Sequence, residues 1–235
     1  MIFRQSGHLL KMETSVGTDG SVDYQLPLDD HRLPLNQFIG STISIEHLGD
    51  IHCIHCGRRS KKSFAQGYCY PCFISLPQCD TCIMSPERCH FHAGTCRDSA
   101  WGEKFCFTDH FVYLSNTSGV KVGITRGDQL PTRWVDQGAT QGLPIFRVKN
   151  RRQAGLIEDR LRQHVADKTQ WQRMLKGNNE DIDLAAFRDE LVDKCQTDLS
   201  QLAEECGIQA MQYLDQQKTL HICLLYTSDA ADDGL

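Results

Sequence analysis

Residues 53–72 read CIHCGRRSKKSFAQGYCYPC, a C-x2-C-x12-C-x2-C pattern, and how these cysteines are used decides the kind of fold. Two thiolates two residues apart sit on one tight turn and grip one tetrahedral ion at a Zn–S distance of about 2.3 Å. Two such pairs at this spacing read as a four-cysteine zinc site made of Cys53, Cys56, Cys69 and Cys72. The competing use of close cysteines, a disulfide framework, needs an oxidising compartment. The N-terminus MIFRQSGHLLKMETSVG lacks the apolar run of a signal peptide. A reduced, zinc-bound, cytoplasmic protein is expected.

The next stretch is over-supplied with ligands. The minimal second site is Cys79, Cys82, Cys89 and Cys96, spaced C-x2-C-x6-C-x6-C. His90, His92, Cys106 and His110 leave a third site open. Sites closed by four protein ligands are structural, because catalytic zinc keeps an open position. The zinc is therefore expected to build a scaffold. His52 and His55 read as neighbours of the ligands. The loop carrying Arg58, Arg59, Lys61 and Lys62 is equally a phosphate contact or a solvated loop.

Residues 223–233 read CLLYTSDAADD, which resembles one frame of a transposon-end sequencing adapter translated into protein, TGT-CTC-TTA-TAC-ACA-TCT giving CLLYTS. The expectation is that residues 223–235 are such a scar and that the natural chain is truncated before its own C-terminus. The net charge is −5, and setting aside Asp229, Asp232 and Asp233 leaves −2, so total charge says little about partners. Its distribution says more. Residues 119–164 hold nine Lys/Arg against four Asp/Glu, whereas residues 178–222 hold ten acids and three bases. A basic middle segment permits a phosphate-binding face. No apolar run reaches the roughly 18 residues of a membrane span.

An α+β architecture follows, in five segments. Residues 1–50 form a β-rich module, with alternation in Val22–Leu26 and again in Ser41–Glu46, where Ile43 and Ile45 share a face. This module is too thin to stand alone and should lean on the zinc module or on a missing C-terminal part. Residues 51–108 are the zinc module, in which metal substitutes for a core. Residues 109–177 form an α/β domain. In it Ala154, Ile157, Leu161 and Val165 make one helical stripe. Residues 178–222 are an acidic helical segment with Leu184, Phe187, Leu191, Leu199 and Leu202 inward, followed by the tail 223–235.

The α/β domain opens with FVYLSNTSGVKVGIT at residues 111–125. For Val112 and Leu114 to share a face with Val120, Val122 and Ile124, opposed residue numbers must sum to an even value. That demands a loop of odd length, with Gly119 in the turn. Tyr113 then lies opposite the Lys121–Gly123 stretch. These residues, with Arg133 after them, resemble the hairpin-and-helix core of GIY-YIG nucleases. The resemblance implies that Tyr113 matches the first-strand tyrosine, that Arg133 holds the scissile phosphate, and that Glu158 binds Mg or Mn. It also shows two departures: Lys121 stands where the second tyrosine belongs, and Gln137 is nearest to the expected histidine. Both bear on proton transfer, so catalysis through Tyr113, Lys121, Arg133 and Glu158 stays open.

The chain as a whole, over roughly residues 8–180, is identified as a member of the family called domain of unknown function 2797. The stretches that carry this are CIHCGRRSKKSFAQGYCYPCF, QCDTCI, PERCHFHAGTC, VYLSNTSGVKVGIT, PTRWVDQGATQGLPI and DKTQWQRMLKGN. Membership implies a further β-rich C-terminal segment. Trp134, Trp171 and Lys176 lie in these stretches, as base-stacking or core groups. Three functions are weighed: a zinc-scaffolded RNA- or DNA-binding protein, a metal-dependent phosphodiesterase, and a protein-interaction module. The first is favoured.

Overall fold

The hairpin forms with the required parity. Strands β4 (His110–Asn116) and β5 (Val120–Arg126) pair antiparallel with Tyr113 opposite Gly123 and Asn116 opposite Val120. The loop is residues 117–119, and Gly119 adopts φ +146°, a conformation that side-chain-bearing residues rarely take. This is a computed structural model, and it describes residues 4–165, 180–206 and 211–224. Trp171, Lys176 and the tail from residue 225 lie outside those residues.

Strand β6 (Gln141–Val148) pairs with the other edge of β4, across a bulge between Val112 and Tyr113. Two short strands, β7 (Gln212–Tyr213) and β8 (Leu220–His221), pair with the far edge of β6. One face of this sheet is covered by α5 (Arg151–Arg162) and α6 (Leu184–Cys206). Ala154, Ile157, Leu161 and Val165 of the helical stripe meet Val112, Leu114, Leu143 and Ile145, with Leu184, Leu191, Leu199 and Leu202 completing the cluster. Burying side chains of this size contributes about 1.5–3 kcal/mol each before chain entropy is subtracted. Asn150 caps α5 by accepting the Gln153 N–H at 2.9 Å. Such a cap contributes about 1 kcal/mol.

The other face holds two aromatic rings laid over glycines. Tyr113 covers Gly123, where a Cβ would come within 2.6 Å of the phenol. Trp134, on the short helix α4 (Thr132–Asp136), covers Gly142 so closely that a Cβ there would penetrate the indole. The rings meet edge-on with centroids 5.9 Å apart. Onto them packs a three-stranded antiparallel sheet of β1 (Glu13–Val16), β2 (Val22–Leu28) and β3 (His31–Pro34), through Val16, Val22 and Tyr24. The N-terminal region therefore rests on the α4 face of the central sheet. The alternating Ser41–Glu46 stretch does not become a strand, and Ile43 and Ile45 are 52% and 79% exposed. Alternation makes a strand only where a sheet edge and an apolar surface receive it, and this segment has neither.

Residues 51–106 are a series of tight turns and three short helices, α1 (Tyr70–Ser75), α2 (Thr81–Met84) and α3 (Ser99–Cys106). They are fastened to the central domain at α5. A Cβ on Gly155 would lie 2.6 Å from Pro86 Cβ, and Arg151 donates to the Ile83 carbonyl at 2.7 Å. Among the described residues, no helix is long and apolar enough to cross a membrane.

Candidate metal centre and basic surface

The first four cysteines converge. The Sγ atoms of Cys53, Cys56, Cys69 and Cys72 all lie within 4.8 Å of one another, with three of the residues buried. Cys56 Sγ and Cys69 Sγ are 3.7 Å apart. A tetrahedron with 2.3 Å metal–sulfur bonds puts its sulfurs about 3.8 Å apart, whereas a disulfide needs about 2.05 Å. The donor set thus fits a tetrahedral thiophilic ion such as zinc, and all four thiols are free. Cys53 and Cys56 occupy a turn closed by Gly57 N–H to Cys53 O at 2.9 Å, with Gly57 at φ +70°. Cys69 is the extended residue before α1 and Cys72 the third residue inside it, so both thiols face the same side.

The electrostatics of this cluster suit a cation. Burial pushes the Cys53 thiol up, but the backbone N–H groups of Cys56, Cys69 and His55 outweigh it and hold the thiol at about 6. The Arg58 N–H lowers Cys56. Cys72 is pushed up to about 12, first by burial and then by the neighbouring thiols. Four thiolates cannot share this volume unaided, and a divalent ion removes the conflict.

The remaining cysteines and histidines of the module are spread more widely than the first four. A cavity of about 20 Å³ is lined by Cys82, Cys89, Cys96 and Cys106 together with Asp80 and His90. Cys79 is not among its lining residues. It is buried, and the charges acting on it are Arg97 and Cys53. The cause is where the helix starts. In the first site Cys69 is the cap of α1, whereas Asp80 is the cap of α2, leaving Cys79 one residue outside it. Asp80, Cys82 and His90 instead bring ligand atoms within 4.8 Å of one another. Asp80 also pairs with Arg97 at 3.0 Å, and Arg97 donates to the Phe73 and Leu76 carbonyls. His92 is exposed. His110 is fully buried, with Nδ1 donating to the Thr108 carbonyl at 2.8 Å and burial holding its ring down at about 4.

On the central domain, Tyr113 of β4 lies in the electrostatic field of Arg133 from α4 and of Glu158 from α5. Burial raises the Tyr113 phenol; Arg133 opposes that shift, and Glu158 adds to it. The Tyr113 hydroxyl donates to Gln137 Oε1 at 2.8 Å. Arg133 is exposed, and Glu158 and Lys121 are half-buried. Lys121 stands opposite Ser115, on the Tyr113 side of the hairpin. Trp134 is buried in the core and offers no face for stacking. Arg151, which composition did not single out, is half-buried and lies in the field of Cys106, Cys82, Glu158 and Arg133. Arg147 is committed to Asp109, and the knuckle residue Arg59 to Asp50.

The fold and cluster define a mixed α/β chain of two antiparallel sheets with a four-cysteine centre that could hold a metal ion. Residues 40–227 match the family model described as "Protein of unknown function (DUF2797)", and the chain belongs to that family. No curated protein and no solved structure matches the chain.

Proposed function

We propose that this is a zinc-scaffolded nucleic-acid-binding protein whose central domain is GIY-YIG-like and works without strand cleavage. The observation that carries the reading is the contrast between Arg133 and Tyr113. The guanidinium is displayed to solvent, while the phenol beside it is fully buried and bonded to Gln137. A phenol held protonated in this way supports the sheet but exchanges no proton with a substrate. Arg133 and Lys121 supply positive charge suited to phosphate oxygens, and zinc at Cys53, Cys56, Cys69 and Cys72 holds the adjoining module in shape.

The second reading is a divalent-metal-dependent phosphodiesterase. It is favoured by the Glu158 carboxylate, which stands in the same field as Tyr113, Arg133 and Arg151. There Mg or Mn would be held by Glu158 beside the Arg133 phosphate contact, and a hard cation would stabilise charge on a phosphoryl transition state.

The test uses the zinc-loaded chain, its Glu158→Gln and Arg133→Ala variants, and labelled single- and double-stranded DNA and RNA, with and without added Mg²⁺ or Mn²⁺. Binding that needs no added divalent ion, weakens as salt rises and drops several-fold in Arg133→Ala is expected. Cleavage by the wild type that Glu158→Gln abolishes would install the second reading. Absence of binding at about 50 mM salt would overturn both and leave a protein-interaction module.

A further inference from the structure

Between Pro77 and Cys106 the chain has turns, two short helices and almost no apolar interior. None of its residues belongs to a buried hydrophobic cluster. What turns inward is sulfur. Cys82 sits in α2, Cys89 follows the turn Pro86–Arg88, Cys96 precedes α3, and Cys106 is the last residue of α3. All four line the same cavity, whose size of about 20 Å³ holds about one water-sized sphere. Cys82 stands in the field of Cys89, Cys96 and Cys106 together with Asp80. The interior is also shaped for this arrangement. Gly102 on α3 leaves room for Phe91 and Cys96, and an added Cβ would press to 3.1 Å from the Phe91 ring and 3.5 Å from the Cys96 sulfur.

We propose that Cys82, Cys89, Cys96 and Cys106 hold a second structural metal ion, a thiophilic divalent cation of the zinc class. Cys79 and His110 lie outside it. This assignment does not rest on the nucleic-acid reading.

Four alternative donors are set aside on geometry. His90 lines the cavity, but its Nδ1 is bonded to Thr95 Oγ1 at 2.8 Å and its Nε2 faces the Asp80 carboxylate at 3.5 Å. Cys79 is buried away from the cavity in the field of Cys53. Asp80 spends its carboxylate on Arg97 at 3.0 Å and Thr81 at 3.2 Å. His110 does not line the cavity, and it packs in a field of Arg151 and Arg126. The thiols also suit the ion better than a mixed set, since soft thiolates in a tetrahedron select zinc over hard cations. Among the described residues the four sulfurs are spread more widely than those of the first centre, which alone brings four thiols within 4.8 Å. An ion would draw them inward.

Charge balance gives an independent reason. A divalent ion with four thiolates carries two net negative charges, which need cations nearby when the site is partly enclosed. Arg151 supplies one. It donates to the Ile83 carbonyl beside Cys82 at 2.7 Å, and its Nε is buried with no hydrogen-bond partner among the described residues. Arg126 acts on Cys106 as well. Through Arg151 the second ion would brace the N-terminal turn of α5, the helix that carries Glu158.

The experiment is metal content per chain by elemental analysis, on the full chain purified without chelator. Two zinc ions are expected for wild type and for Cys79→Ser, His90→Ala and His110→Asn, and one for Cys106→Ser. Cys106→His, which keeps a zinc ligand, should restore the second ion. A single zinc in wild type, loss of an ion in Cys79→Ser or His90→Ala, or two ions retained in Cys106→Ser would each overturn the assignment. Should Cys106→Ser fail to fold, the cobalt-loaded Cys79→Ser variant, which keeps all four proposed ligands, decides the matter. Equal thiolate-to-cobalt charge-transfer intensity for its first and second equivalents is expected. A second equivalent with distinctly lower intensity than the first would mean fewer than four thiolates there and overturn the assignment.

Discussion

The chain between Cys53 and Cys106 and the chain between His110 and Leu202 solve the same problem with different materials. The central domain buries Val112, Leu114, Leu143, Ile145, Ile157, Leu161 and Leu184 completely, a continuous apolar core between sheet and helices. In the metal module the buried cluster consists of Cys53, Cys69 and Cys72, with Tyr68 and Leu76 against it. A segment of that size cannot bury enough apolar surface to offset chain entropy. With a metal ion at the four-cysteine centre, ligation would supply the missing folding free energy, about 10–16 kcal/mol for a structural zinc in small peptides. The central sheet should therefore keep its fold without metal, and the module should not.

The largest effect should come from removing the ion. A strong chelator, or Cys69→Ser, is expected to collapse hydrogen-exchange protection over residues 51–106 while the β4–β6 sheet keeps its protection. If both regions lose protection together, the division is wrong and the module is an integral part of the central core.

A smaller effect reads the central domain alone. His110 is neutral and buried, held down at about 4 against an ordinary value of 6.5. The unfolded chain takes up that proton first as pH falls, so the stability this ring contributes is complete above pH 6.5 and is lost as pH falls toward 4. The shift corresponds to about 3 kcal/mol at most. His110→Asn removes the titration while its amide N–H can still reach the Thr108 carbonyl. Urea denaturation of the two proteins from pH 7 to pH 4 should show a wild-type decline that the variant lacks. Parallel curves would mean that His110 titrates no differently in the folded chain.

The smallest effect tests the seam. Gly155→Ala gains about 1 kcal/mol of helix propensity, but its Cβ would meet Pro86 Cβ at 2.6 Å and Glu87 N at 3.0 Å. Overpacking of this kind costs about 1–3 kcal/mol, and backbone at the contact cannot swing aside as a flexible side chain would. Net destabilisation of about 1 kcal/mol is expected in thermal or urea unfolding, with unchanged zinc content. A stabilised variant would show that the two regions do not press on each other at this point.

Much of this was legible because it repeats at short range. The C-x2-C pairs of the first centre, the parity of the β4–β5 hairpin and the stripe Ala154, Ile157, Leu161 and Val165 are each set by a local period, and sequence spacing reports local periods directly. The Ser41–Glu46 stretch shows the limit. Its alternation is as clear as that of Val22–Leu26, yet only the latter has partner strands and a face to cover.

What the sequence determined by itself is a cysteine-rich module, the four cysteines that converge in it, and the core-facing positions of the central hairpin and helices. The tertiary structure alone decided that α2 begins at Thr81, turning Cys79 away from the cavity, and that α3 ends with Cys106 beside Cys82. It alone laid Trp134 over Gly142, a contact that no spacing rule marks. The reason is physical. Ligand pairs and amphipathic faces follow from the pitch of a strand, turn or helix, whereas the direction a side chain takes at a helix start depends on which residue becomes the cap. Contacts between distant elements depend on how whole surfaces pack.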